Sequence, residues 1–161
     1  MKTYTLHRTQ FLPYPLDEVF PFFESPENLG SITPRWLKFR FITPLPIDMR
    51  EGAVIEYTIS WLGIPIRWKT LISSYNPPHS FSDTQLEGPY ARWEHTHSFR
   101  EVDGGTEMTD TVHYALPFGV LGRFAHACAI RRQVEAIFEH RATVLSDLIA
   151  NRRRKADQAS T

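Results

Sequence analysis

The sequence predicts an α+β domain in which a curved antiparallel sheet of about six to seven strands wraps around one long C-terminal helix, with two short helices after the first strand. Three observations carry this. Apolar residues recur every second position from about residue 38 to 116. They recur every third or fourth position over some thirty residues after Gly119. No helical pattern interrupts the strands, so a parallel sheet with crossover helices is excluded.

Residues 3–12 read as the first strand. In "PLDEVFPFFE" Asp17 and Glu18 sit in the first turn of a short helix, and Val19, Phe20, Phe22 and Phe23 form its buried side. Pro26 then starts a second short helix behind Ser25, which is positioned as an N-cap. "VIEYTISW" places Ile55, Tyr57, Ile59 and Trp61 on one face. "IRWKTLIS" places Ile66, Trp68, Thr70 and Ile72 on one face, opposite Arg67 and Lys69. "NPPHS" and "EGPY" mark turns between strands, as expected of an antiparallel meander. In the last third, apolar residues at 120, 124, 127, 130, 134, 137, 138, 144, 145, 148 and 149 predict one continuous amphipathic helix, with Arg131, Arg132, Glu135, Glu139 and Arg141 on its polar side. The domain is expected to span residues 1–150. Residues 151–161, with the run Arg152–Lys155, read as a frayed basic tail.

Composition narrows the function. Eighteen basic and eighteen acidic residues give zero formal charge, so the chain lacks the basic surface that nucleic-acid binding requires. There is no apolar N-terminal leader and no apolar run near the roughly 18 residues that span a bilayer, so no stable membrane insertion is expected. The one cysteine, Cys128, cannot form an intramolecular disulfide, which fits a cytoplasmic location. Placed among Ala127, Ala129 and Ile130, it reads as a packing residue. Aromatics reach 13%, enough to line something large.

The chemistry concentrates in "WEHTHSFREVDGGTEMTDTVHY". Trp93, His95, His97 and Phe99 share one strand face, and the solvent-like set Glu94, Thr96, Ser98 and Arg100 takes the other, so both histidines point inward. Asp103–Gly104 is a two-residue type I′ hairpin signal. Pairing Val102 with Gly105 sets Phe99 against Met108, Trp93 against Tyr114, and His97 against Asp110. In "FSDTQ", Phe81, Asp83 and Gln85 share a face, and Asp83 is expected to approach His95 from the other side. The candidate ligand-binding residues are therefore Tyr57, Trp68, Asp83, Gln85, Trp93, His95, His97, Phe99, Asp110 and Tyr114.

A buried carboxylate opposite a histidine satisfies both groups, so the patch reads first as a self-paired polar wall that receives a ligand's polar end. A second reading makes His97, oriented by Asp110, a general base, with Tyr57 or Tyr114 polarising an oxygen. A third takes His95, His97 and Asp110 as a three-ligand metal set. His97 already has a carboxylate partner, so no metal and no other cofactor is expected. His7, His79, His113, His126 and His140 fall at outer-face, turn or helix positions.

The order of elements resembles the START/birch-allergen superfamily, SRPBCC, with its helix-grip fold. The stretches "PLDEVFPFFESPENLGSITP", "PPHSFSDTQLEGPYARWEHTHSF", "GTEMTDTVHYALPFGVLG" and "RRQVEAIFEHR" look most like a bacterial ligand-binding branch often labelled "cell division inhibitor"-like. The resemblance implies binding of a small hydrophobic molecule between sheet and helix. It also leaves open a cyclase or dehydratase using His97 and Asp110. It implies no catalytic set, and it leaves any protein partner unknown.

Overall fold

The computed structural model describes residues 1–61 and 63–159. The side chains of Trp61, Arg123, Ala125, His126 and residues 152, 153, 155–157 and 159 are outside that description. The inward placement of Trp61 and the helix-surface placement of His126 thus lie beyond the described residues.

Seven strands form one antiparallel sheet. β1 is Thr3–Leu12, β2 Arg40–Phe41, β3 Val54–Trp61, β4 Ile64–Asn76, β5 Ser80–Glu87, β6 Arg92–Val102 and β7 Gly105–Ala115. Their spatial order is β1-β7-β6-β5-β4-β3-β2. Two register shifts between β4 and β5, at Lys69/Thr70 and Ile72/Ser74, bend the sheet there. A bent sheet has a concave side, and the apolar faces of the strands meet on it.

α1, Leu16–Glu24, closes one end of the concavity with Leu16, Val19, Phe20, Phe22 and Phe23 buried. The predicted second short helix is a single 3-10 turn, Pro26–Gly30, followed by another at Arg35–Leu37. Pro26 stands at its start as expected, but Ser25 does not cap it. The Ser25 hydroxyl instead donates back to the Pro21 carbonyl at 3.2 Å, which closes α1.

The long helix differs most from its prediction. α2, Gly119–Ala125, and α3, Arg131–Ala159, are separated by a π-turn at His126–Ile130. A π-turn inserts one extra residue and rotates what precedes it about the helix axis. Ile130, Val134, Phe138, Leu145 and Ile149 are buried on the sheet as the period predicts. Val120, Leu121 and Phe124 are exposed, as are Ala127 and Cys128. Cys128 is therefore not a packing residue. α3 also runs through the basic run to Ala159, past the predicted boundary at 150. Among the described residues no helix is long and apolar enough to cross a membrane.

The β6–β7 register is as predicted, with Val102 opposite Gly105, Phe99 opposite Met108, Trp93 opposite Tyr114 and His97 opposite Asp110. The turn type is not. Gly104 takes a positive φ of 79°, but Asp103 does not, so the turn is not type I′. Gly105 has its own constraint: a Cβ there would lie 2.2 Å from the Leu12 carbonyl oxygen of β1. On the convex face the strands are joined by hydroxyl and imidazole pairs, Thr5–His113, His7–Thr111 and Thr9–Thr109.

The interior is divided. One apolar cluster packs α1, Phe81, Phe99 and Met108 against Leu145 and Ile149. A second packs Leu6, Val112 and Tyr114 against Ile130, Val134 and Phe138. Arg141 lies between the two groups on α3, at the height of the histidines.

Candidate functional site

Alternation along β6 turns His95 and His97 into the concavity, where they are 4% and 5% exposed. Their rings lie 3.9 Å apart between centroids. His97 stacks on Phe81 at 4.3 Å, and His95 meets the edge of Phe138 on α3. Aromatic neighbours thus fix both ring planes before any polar contact is considered.

Asp110 on β7 is the anchor. Its Oδ1 accepts a hydrogen bond from His95 Nε2 at 2.8 Å. His97 Nδ1 lies 2.9 Å from the same oxygen but off the line of its N–H. Arg141 Nη1 lies 3.6 Å from it. Burial alone would push the Asp110 carboxyl up; its contacts to His95 and His97 outweigh that and hold it well below the ordinary carboxylate value. The two histidines move down from the usual imidazole value, chiefly by burial and, for His95, by its neighbour His97. Asp110 is thus the anion of the group, facing two imidazoles and one guanidinium.

Asp83 on β5 stands opposite His95, as the sequence predicts. Its Oδ1 accepts from the Thr70 hydroxyl at 3.2 Å. Its Oδ2 faces His95 Nδ1 at 3.5 Å and His97 Nε2 at 3.8 Å. Burial raises its pKa despite the nearby His95 and Thr70.

The helical pattern puts Arg141 on the polar side of the helix. It is in fact 8% exposed, with its guanidinium over the Phe138 ring at 5.0 Å. Its Nε and Nη1 are buried and find no hydrogen-bond acceptor among the described residues, and neither does Trp68 Nε1. A signal for Arg141 exists in the sequence. The buried stripe 130, 134, 138, 145, 149 has a gap where 141 falls on the same face, so a long cationic side chain stands in an apolar row.

These groups border a cavity of about 170 Å³ between α3, the sheet and the first short helices. That is close to the ~150 Å³ of an apolar cavity that holds a benzene ring. Of the predicted binding residues, Tyr57, Trp68, Asp83, Trp93, His95 and His97 line it. Four do not. The Gln85 amide is used at both ends by Tyr90, donating to its carbonyl and accepting from its N–H, so it braces the β5–β6 turn. Phe99 is packed among Phe20, Phe23 and Phe81. Tyr114 is packed against Tyr4, Tyr90 and Trp93. Asp110 stands behind the histidines. Sequence reasoning missed the residues that close the cavity from the helices, among them Phe23, Leu29, Ile137 and Arg141.

Comparison with known proteins adds the following. The profile of a family described as polyketide cyclase / dehydrase and lipid transport matches residues 12–138. No curated protein matches the sequence. Similar solved structures include the ZhuI aromatase/cyclase of Streptomyces sp. R1128, at 15% identity and TM-score 0.74, covering 96% of this chain and 98% of that one. Protein TTHA0849 of Thermus thermophilus gives 15% identity and TM-score 0.73, covering 92% and 98%. A norcoclaurine synthase variant of Thalictrum flavum gives 12% identity and TM-score 0.67, covering 94% and 97%. At these identities the likeness is one of fold.

Proposed function

The chain belongs to the polyketide cyclase / dehydrase and lipid transport family, and from that footing we propose that it binds a small hydrophobic molecule carrying an acceptor or anionic end. The observation that carries this is the pairing of an apolar cavity with buried donors that make no hydrogen bond among the described residues. The walls are aromatic and aliphatic, while Arg141 Nε and Nη1 and Trp68 Nε1 have no acceptor among the described residues. A buried donor left unmade costs about 1–3 kcal/mol, more when charged. A carboxylate or phenolate oxygen from a ligand would satisfy these donors, and its apolar body would fill the space beside Tyr57 and Trp93. The cavity size favours a body of one or two rings. The quoted motifs, from "PLDEVFPFF" to "RRQVEAIFEHR", support placement in the ligand-binding "cell division inhibitor"-like branch.

The test is a fluorescence titration with 2-naphthoate and, in parallel, uncharged naphthalene. We expect saturable binding of 2-naphthoate with one site per chain. Arg141→Met should weaken it roughly 10- to 150-fold, the range for loss of a charged hydrogen bond, and leave naphthalene affinity nearly unchanged. No saturable binding of either compound, or an Arg141→Met variant that binds 2-naphthoate as tightly as the parent, would overturn the reading.

A second reading is a cyclase or dehydratase in which His97, backed by Asp110, moves a proton. Two imidazoles and the Asp83 carboxylate on the cavity wall, with the Asp110 carboxylate behind them, favour it. It requires turnover of a polyketide-type substrate that His97→Ala abolishes while ligand affinity is kept. A variant that loses only stability would dismiss it.

A further inference from the structure

Asp83, His95 and His97 each present one acceptor atom to a common point. Asp83 Oδ2, His95 Nδ1 and His97 Nε2 all lie within 4.8 Å of one another. The two distances to Asp83, 3.5 and 3.8 Å, are too long for hydrogen bonds. They are close to the roughly 3.4 Å that separates ligand atoms held at about 2.1 Å and tetrahedral angles around one ion. Nε2 of His95 and Nδ1 of His97 are turned to Asp110, so the other nitrogen of each ring is the one that faces Asp83. With each ring in the tautomer that donates towards Asp110, both nitrogens and the Asp83 oxygen are electron-pair donors, and a cation among them would hold the three together.

We propose that Asp83, His95 and His97 form a binding site for a divalent transition-metal ion of the zinc class. Asp110 is then the outer carboxylate, hydrogen-bonded to His95 and 2.9 Å from His97 Nδ1, in the place where metal-bound histidines usually find one. Two nitrogens and one carboxylate oxygen are the donor set of open zinc sites and of the two-histidine, one-carboxylate triad. Two imidazoles disfavour magnesium and calcium, which select oxygen. All three ligands line the cavity, so the remaining coordination positions face it.

The charges agree. Two carboxylates and the Arg141 guanidinium leave one buried negative charge. A divalent ion changes this to one positive charge, which one anionic group on a bound molecule balances. Asp83 replaces Asp110 as the third ligand of the set weighed from the sequence, because Asp110 Oδ1 already serves both rings and Arg141.

The test uses the purified full chain, stripped with a chelator and titrated with Co²⁺, then with Zn²⁺ in competition. We expect one equivalent of Co²⁺ to bind with visible absorption of a low-symmetry nitrogen–oxygen site, and Zn²⁺ to displace it. Asp83→Asn should remove the absorption. Asp110→Asn should weaken binding about 10- to 100-fold, the usual effect of losing an outer-shell partner. Far-UV circular dichroism establishes that each variant is folded. If Asp83→Asn does not fold, the Co²⁺ form of the unsubstituted protein decides: imidazole proton resonances of His95 and His97 must be paramagnetically shifted. No saturable uptake of either ion below about 1 mM, uptake that survives Asp83→Asn, or shifts confined to His7 and His113 would overturn the proposal.

Discussion

Four histidines on three adjacent strands occupy opposite faces of one sheet. His7 on β1 and His113 on β7 stand on the convex face, exposed, each beside a threonine hydroxyl. His95 and His97 on β6 stand on the concave face, buried, sharing one carboxylate oxygen. The backbone is the same kind of ladder for all four. Only the side of the pleat differs, and with it the solvent. Water can replace a threonine hydroxyl at no great loss. No water reaches the inner pair to replace Asp110, and Asp83 stands too far off to hydrogen-bond either ring, so the inner pair should respond to substitution and to pH in ways the outer pair does not.

The largest expected effect is therefore at Asp110. Asp110→Ala removes the acceptor of His95, the carboxylate that His97 faces and an anion beside a buried guanidinium. Breaking such a buried ionic group by deleting one partner costs about 3–5 kcal/mol. Urea unfolding should show this as a lower midpoint, and a loss below about 1 kcal/mol would mean that Arg141 and the histidines are satisfied elsewhere.

An intermediate effect is expected from acid. The pKa values of His95 and His97 are lowered by burial. The unfolded chain takes up their protons near pH 6.5, while the folded chain resists until lower pH, so the unfolded state binds more protons in between. Stability is then full above about pH 6.5 and falls as pH drops through the unfolded value, by up to about 1.4 kcal/mol per pH unit for each histidine. Asp83, raised by burial, works oppositely: its contribution weakens as pH rises from the ordinary carboxylate value towards its raised one. We expect the urea midpoint to fall between pH 7.5 and 5.5, with a shallower slope in His97→Gln. A flat profile in the parent protein would erase the distinction between the two faces.

The smallest effect is expected outside. His7→Ala and His113→Ala should each change stability by less than about 0.5 kcal/mol, as surface substitutions usually do. A larger loss in chemical denaturation would show that the threonine–histidine ladder on the convex face holds the sheet together.

The inner histidines are legible in the sequence because strand alternation and a short turn leave little freedom. One Asp-Gly pair sets the register, and a slip of one residue would expose Trp93, Phe99 and Met108 together. The same logic brings Asp83 to His95. Gln85 shows its limit. It lies on the same side as Asp83, but the nearby turn offers backbone groups at hydrogen-bond distance, and a local amide partner wins over the cavity. Arg141 reads as solvated when charge is given more weight than position. Its place in the buried row, opposite Asp110 across the interior, depends on a contact between elements that a helical period alone does not specify. The exposed face of α2 is hidden for a different reason. A single inserted residue at the π-turn rotates one stretch of apolar side chains away from the sheet, and no spacing count announces it.

The strand order has a consequence for how the chain's connectivity is distributed. β6 and β7 meet across a turn of two residues, but β1 lies beside β7, with Leu12 opposite Thr106. Joining them closes a loop of roughly 90 residues, which by logarithmic scaling costs about 3 kcal/mol more than closing a tight turn. The largest single share of the sheet's loop-closure entropy therefore falls on that one seam. The buried side chains of Leu6 and Leu12 that line it help offset that penalty.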